Sequence, residues 1–281
     1  MPKRRCKKRK KDKVKDLLSI VIPSRDARYL QKTIDDILAK AKSNIEIVVV
    51  LDSYWPKEFN WTDPRLIVIH HGGPGDLRGM RAGINAGVRT STGKYVMKTD
   101  EHCLFEEGFD LKLMANVRNN WVVVPRRYRL EADKWEIIQD GRPPVDYMRL
   151  QVDEGYLHGV EWKRDRDGPK FNIDNTPTFQ GSCYFLARSY WDSTIGPLDE
   201  EHYGQFANEA QEVCLKAWLS GGRVVVNKNT LYAHWHKTSG GYNFSNAEQR
   251  QFNESVAKGR KWSYDYWTNH PGWSKFMKRF A

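Results

Sequence analysis

The chain of 281 residues is poor in the features that mark several protein classes. Cysteine is scarce and scattered. Cys6, Cys103, Cys183 and Cys214 show no CxxC spacing, which argues against a zinc site or a disulfide framework and leaves reduced thiols in or near the core. No run approaches the ~20 apolar residues that cross a bilayer. The N-terminal charges lack a following apolar core, so neither a membrane helix nor a secretory signal is expected. The sequence reads as a soluble, cytoplasmic protein with no membrane partner. Internal repeats are absent as well. With 40% hydrophobic and 12% aromatic residues, the composition is that of one large folded domain and not of a disordered chain.

Basic residues are abundant and unevenly placed. The formal net charge is +11, from 46 Lys and Arg against 35 Asp and Glu. Residues 1–15 hold ten Lys or Arg and one Asp, so +9 resides there and the rest of the chain carries only +2. A block of like charges repels itself and stays unfolded, which suits an arm for polyanions such as nucleic acid; a solubilising tail with no specific partner accounts for it as well.

The hydrophobic pattern predicts an α/β fold. Apolar runs at Leu17–Ile22 and Ile45–Leu51 read as buried parallel strands, and Tyr29, Leu30, Ile34, Ile37, Leu38 and Ala41 between them recur at helical spacing. Strand, helix, strand forces a right-handed crossover and a parallel sheet. A third strand at Leu66–Ile69, the turn Gly72-Gly73-Pro74-Gly75, a helix over 77–89 and a fourth strand over 94–99 complete a nucleotide-binding half, in which ligands gather at the carboxyl ends of the strands. Farther on, strands are expected at 121–125, 179–187 and 223–227 and helices at 207–219 and 246–267. The polar stretch 126–176 is expected to contain long loops on the acceptor side, and Thr238-Ser239-Gly240-Gly241 reads as a hinge.

The fourth strand ends in Asp100-Glu101-His102. On a strand, side chains at i and i+2 point the same way, so Asp100 and His102 could share one metal ion. A carboxylate with an imidazole suits Mn²⁺ or another first-row ion better than an all-oxygen calcium site, with Mg²⁺ as an alternative. A third ligand must come from elsewhere, and His234 or His236, two apart after another strand, can supply it.

Four segments taken in order resemble a known family. They are Ser19–Asp26 with Glu46–Asp52; Gly79–His102 ending in the D-x-H motif; Thr176–Phe185; and Asn208–Gly222 followed by Tyr232-Ala233-His234. The chain resembles the GT-A glycosyltransferases. It is most similar to the catalytic domain of the retaining polypeptide N-acetylgalactosaminyltransferases and more loosely similar to the family 2 glycosyltransferases. This implies a basic tail over 1–15, a GT-A catalytic domain over 16–245 and a helical aromatic and basic extension over 246–281. The catalytic domain would divide into a Rossmann-like nucleotide-sugar half, 16–102, and an acceptor and metal half, 103–245.

The resemblance also implies roles. Pro23 and Asp52 fall on the donor side, where Asp52 matches an aspartate that hydrogen-bonds the uridine of a UDP-sugar. Asp100, His102 and His234 match the metal set, and Gly181 a glycine beside the donor sugar, where the absent Cβ permits close approach. Arg78 and Arg81 could face phosphate or uridine, or be ordinary surface arginines. Lys237 and Tyr242 match a mobile lid that contacts the diphosphate and excludes water. Glu209 matches the glutamate of the family's Gly-Glu-Asn segment, and Glu212 lies one turn later. Ala210 stands where inverting relatives carry their general base, so retention is expected, with Glu209 holding hydroxyls of donor or acceptor and the departing phosphate helping to deprotonate the acceptor. Should the reaction invert, Asp199 or Glu200 could act as base. Phe206 and Asn208 depart from the family's Trp and Gly, which implies a reshaped sugar pocket.

The acceptor is the least constrained element. Trp262, Tyr264, Tyr266, Trp267, Trp273 and Phe276 interleave with Lys258, Arg260, Lys261, Lys275, Lys278 and Arg279, a pattern that stacks bases along a phosphate backbone or packs a helix on the core. With the basic tail, it makes a hydroxymethylated DNA base one candidate acceptor, reached by flipping the base out. Such an enzyme would fit a virus or bacterium that decorates its own DNA, acting in the cytoplasm. Protein Ser/Thr and glycan hydroxyls are comparable candidates. A nucleic-acid-binding protein that has kept the fold without activity is the alternative of a different class, disfavoured by the intact metal set.

Overall fold

A computed structural model describes residues 16–25, 27–73, 76–236 and 246–280; the tail 1–15, Lys237, Tyr242 and the glycine hinge lie outside the described residues. The nucleotide half runs β1 (Leu18–Ser24), α1 (Leu30–Lys40), β2 (Ile45–Asp52), β3 (Leu66–His71), α2 (Met80–Thr90) and β4 (Tyr95–Thr99). There follow β5 (Cys103–Phe105), α3 (Phe109–Ala115), β6 (Trp121–Glu131), β7 (Glu136–Ile137), β8 (Met148–Asp153), β9 (Tyr156–Glu161), α4 (Arg164–Asp167), β10 (Ile173–Asn175) and β11 (Cys183–Ala187). After the short α5 (Arg188–Tyr190) and α6 (Glu200–Tyr203) come α7 (Glu209–Leu219), β12 (Arg223–His234), α8 (Asn246–Thr268) and α9 (Trp273–Arg279).

The main sheet has the order β10-β12-β6-β11-β4-β1-β2-β3. β1 pairs parallel with both β2 and β4, β2 pairs parallel with β3, and β12 parallel with β6. β11 is inserted antiparallel between β4 and β6. Reversing twice across β11 makes β6 and β12 run the same way as β4, so the carboxyl ends of β2, β4 and β12 open on one edge. Ligands of open α/β sheets gather at that edge.

The alternation of apolar side chains builds a core on each face of this sheet. Leu18, Ile20 and Ile22 of β1 and Ile45, Ile47, Val49 and Leu51 of β2 pack beneath α1 and α3. Val21, Val48 and Val50 point the other way, toward α2, α7 and α9. Each of these aliphatic side chains, removed from water, contributes about 1.5–3 kcal/mol. On the C-terminal helices, Trp267 and Phe276 are buried and Tyr264 and Trp273 pack against the same core, so most of that aromatic series serves packing.

Two expectations are corrected. Besides a loop over 138–147, the stretch 126–176 holds strands that were not expected: β6 continues to Glu131, and Met148–Asp153 and Tyr156–Glu161 form an antiparallel hairpin. Its sequence alternates Met148, Leu150 and Val152 and turns at Gly155, whose φ of 72° favours glycine, but its polar outer face masks the pattern. β12 likewise runs past Asn227 to His234, through an irregularity between Asn227 and Leu231. That extension brings His234 to the site.

Candidate active site

The strand ends surround an open cavity of about 640 Å³. Pro23, Asp52, Gly181, Glu209 and the triad Asp100, His102 and His234 line it, along with Lys98, Arg260 and the hairpin residues Tyr156 and His158. Of the sequence-predicted residues, Arg78 and Arg81 are not among the lining side chains.

Strand register assembles the triad. Asp100 follows β4, with its N–H donating to Ser182 O at 2.9 Å, and His102 precedes β5. Asp100 and His102 thus sit in the turn joining two strands and not on one strand, as the i, i+2 argument assumed. β5 pairs antiparallel with the end of β12, which sets His234 opposite Cys103 and beside His102. The two Nε2 atoms lie 3.1 Å apart, and Asp100 Oδ2 lies 3.3 Å from His234 Nε2 and 3.9 Å from His102 Nε2. One ligand atom from each residue falls within 4.8 Å of the others. Burial drives the His234 imidazole below its ordinary pKa, against the pull of Asp100, which favours the neutral form that a ligand requires. Burial would raise the Asp100 carboxyl, but Lys98, His234 and His102 outweigh it and hold it well below the usual carboxylate range. One carboxylate oxygen and two imidazole nitrogens converging on a point fit a first-row divalent ion.

On the donor side, Asp52 ends β2 and is buried. Its Oδ1 accepts the backbone N–H of Arg78 at 3.0 Å and the Ser53 hydroxyl at 3.2 Å, and its Oδ2 the N–H of Gly79 at 2.9 Å, so it ties the start of α2 to the cavity rim and leaves a lone pair of Oδ2 for a ligand. Gly79 has φ 86°, and a Cβ there would meet the Gln205 backbone at 2.6 Å. The Arg78 side chain instead turns to Asp76 and is half exposed.

Arg81 differs most from its expected place. It is fully buried, donates to Ala207 O and to Glu212, and lies with its guanidinium 4.0 Å from the centre of the Tyr203 ring. Asp199 N–H and Lys216 Nζ, at 3.0 and 2.7 Å, complete the shell around Glu212. Glu209 and Glu212 are therefore not a solvated face of α7. Glu212 belongs to a closed core network, while Glu209 turns to the cavity. Of the proposed alternative bases, Asp199 pairs with His202 and Glu200 accepts from Asn85, and neither lines the cavity.

Glu209 is 4% exposed, and its Oε1 is buried without a hydrogen-bond partner. Burial raises its carboxyl above the ordinary value, opposed first by Lys98 and then by Arg81 and the neighbouring Tyr184 hydroxyl. A Cβ on Gly181 would sit 2.6 Å from Glu209 Oε2, so glycine there makes room for that carboxylate at the cavity wall. Asn208, just before Glu209, is held at φ 49° and donates to Leu157 O at 2.9 Å, which ties α7 to the hairpin.

Sequence reasoning missed Lys98. Its side chain is 1% exposed, and Nζ lies 2.6 Å from Asp100 Oδ1, 2.6 Å from Gly181 O and 3.4 Å from Glu209 Oε2. Burial alone would lower the ammonium's pKa, yet the two carboxylates outweigh it and hold it above the usual lysine value. A lone Lys in the apolar strand Tyr95–Thr99 was the available signal.

A search of curated proteins returns no match. Among solved structures, GalNAc-T7 with UDP, GalNAc and Mn²⁺ is similar over 96% of this chain and 57% of its own, with TM-score 0.68 and 16% identity. TarS of S. aureus is similar over 86% of this chain and 43% of its own, with TM-score 0.52 and 13% identity. The chain thus spans about half the length of each, and the likeness establishes a shared fold, that of the GT-A glycosyltransferases. The profile of glycosyl transferase family 2 matches residues 19–195, well over half of the sequence. With the D-x-H turn, the sheet order and this match in agreement, the chain belongs to glycosyl transferase family 2.

Proposed function

We propose that the protein is a divalent-metal-dependent glycosyltransferase that moves a hexose or N-acetylhexosamine from a UDP-sugar to a hydroxyl acceptor. The observation that carries this is the convergence of Asp100, His102 and His234 in a cavity that Asp52, Gly181 and Glu209 also line. The solved relative holding UDP, GalNAc and Mn²⁺ supports the donor and ion classes. Mn²⁺ suits the mixed oxygen and nitrogen set, with Mg²⁺ as an alternative. An ion on the triad supplies charge neutralisation to the leaving diphosphate. Asp52 and the Gly79 turn position the nucleoside end, Gly181 makes room for the Glu209 carboxylate beside the sugar, and Glu209 holds hydroxyls of donor or acceptor. Lys237 and Tyr242 are proposed to contact the diphosphate.

Retention of anomeric configuration is the favoured outcome, since Ala210 occupies the place of the inverting base. Inversion has one specific supporting observation: the unpartnered Glu209 Oε1 on a carboxyl with a raised pKa would suit a general base. NMR of the anomeric proton in the product separates the two. For the acceptor, a hydroxymethylated DNA base draws support from the charge of residues 1–15 and from Arg260 on the cavity wall. Protein Ser/Thr and glycan hydroxyls are the other classes, and an inactive nucleic-acid binder the reading outside enzymes. The deciding experiment follows thermal stabilisation and UDP release across a panel of UDP-sugars with Mn²⁺ or EDTA. A metal-dependent response to one donor, lost in Asp100→Ala, supports the proposal, and silence toward every nucleotide sugar overturns it. Acceptors are then screened as hydroxymethylcytosine DNA, peptides and glycans.

A further inference from the structure

The buried Lys98 neither completes the metal triad nor contacts the donor side at Asp52. Its strand register explains its place: on β4 it lies opposite Val21 of β1 and Tyr184 of β11, in the middle of the sheet, where a long charged side chain is costly unless partnered. Its three oxygen partners are also the three pieces of the site that must keep a fixed relation. They are Oδ1 of the metal-ligating Asp100, the backbone carbonyl of Gly181 beside the sugar, and Oε2 of Glu209.

The division of the Asp100 carboxylate is the telling detail. Oδ1 is hydrogen-bonded to Lys98 at 2.6 Å, whereas Oδ2 faces His234 and His102. An ammonium this close to one oxygen leaves the other as the donor to a metal, and its charge offsets one of the two carboxylates nearest the triad. With both carboxylates ionised, the cluster of Asp100, Glu209 and Lys98 carries one net negative charge, and without the lysine it would carry two.

We infer that Lys98 is a positioning residue that restricts Asp100 to single-oxygen ligation, weakens the protein's own hold on the divalent ion, and anchors Glu209 against the sugar face. This rests on the metal reading proposed above. Its chemical consequence is a site that grips the ion firmly only when the donor diphosphate adds its oxygens, so ion and nucleotide bind and leave together. It differs from a structural role, because a lysine that only stabilises the fold would weaken every property of the site when removed. The inferred role predicts opposite changes in metal affinity and turnover.

The test measures Mn²⁺ binding to the full chain, without nucleotide, by the loss of the free-ion electron paramagnetic resonance signal. The parent is compared with Lys98→Met, Lys98→Gln, Lys98→Arg and His102→Ala, and circular dichroism checks that each is folded. Removing a positive charge from beside a ligand of a divalent ion should tighten binding by roughly tenfold or more. Lys98→Met and Lys98→Gln are therefore expected to bind Mn²⁺ more tightly while kcat for UDP release falls by roughly tenfold or more as Glu209 loses its anchor. Lys98→Arg, which keeps the charge, should stay near the parent in Mn²⁺ affinity. Equal or weaker Mn²⁺ binding in the folded uncharged variants overturns the inference while leaving the metal site intact, provided the parent binding is lost in His102→Ala. Failure of both uncharged variants to fold assigns Lys98 to folding alone and overturns it as well. Absence of Mn²⁺ binding in the parent and the folded variants alike overturns both this inference and the metal reading.

Discussion

Two glutamates one turn apart on α7 have opposite surroundings. Glu212 faces the core and has every oxygen engaged, by Arg81, Lys216 and the Asp199 N–H. Glu209 faces the cavity, leaves Oε1 without a partner and touches its nearest cation at 3.4 Å. Both are buried, so burial does not separate them. The difference lies in satisfaction: a completed network fixes a structure, whereas an incomplete one holds binding capacity in reserve for a ligand. The core network locks the helix in place so that the open one can be aimed.

This contrast can be broken experimentally. The largest effect is expected at the metal ligand: Asp100→Ala should lower metal-dependent UDP release on the order of a thousandfold. A variant that retains Mn²⁺-stimulated turnover would remove the triad from the site. Next, Arg81→Met leaves Glu212 without its main partner in the core and should cost about 3–5 kcal/mol in urea unfolding, as broken buried pairs do. A cost under about 1 kcal/mol would show the two glutamates to be alike. Glu209→Gln should do the reverse, with a melting temperature within a few degrees of the parent but transfer reduced by about a hundredfold. The smallest change is expected from Gly181→Ala, whose added methyl displaces the Glu209 carboxylate: stability should fall by about 1 kcal/mol and turnover by roughly tenfold. If turnover is unaffected, that carboxylate can move without consequence.

Much of the fold was legible because the first hundred residues alternate apolar strands with helices of period 3.6. Ile45–Asp52 and Tyr95–Thr99 lie within a residue or so of their expected bounds. The hairpin at 148–161 was not legible, since its outer face is polar and its inner face holds few apolar side chains. In the site, Asp100, His102 and His234 were found from the D-x-H turn and from resemblance, and all three fall together. Arg81 was misplaced because its residue type suggests a surface or a phosphate, and only the tertiary structure supplies Glu212 and Tyr203 as partners. Lys98 escaped notice for the complementary reason: a single lysine inside a strand is informative only when its burial is known.

The insertion of β11 between β4 and β6 bears on how the chain reaches this structure. Residues 183–187 join two strands that precede them by about ninety and sixty positions, so the two parts of the sheet cannot be stitched together until they are available. During synthesis the parallel strands β3, β2, β1 and β4 present an open edge at β4, which invites pairing with another chain. Folding should accordingly be slow and governed by long-range closure. A fragment ending before Cys183 would expose that edge permanently, and its aggregation, set against recovery by a chain extended through Ala187, would register the moment at which the sheet is sealed.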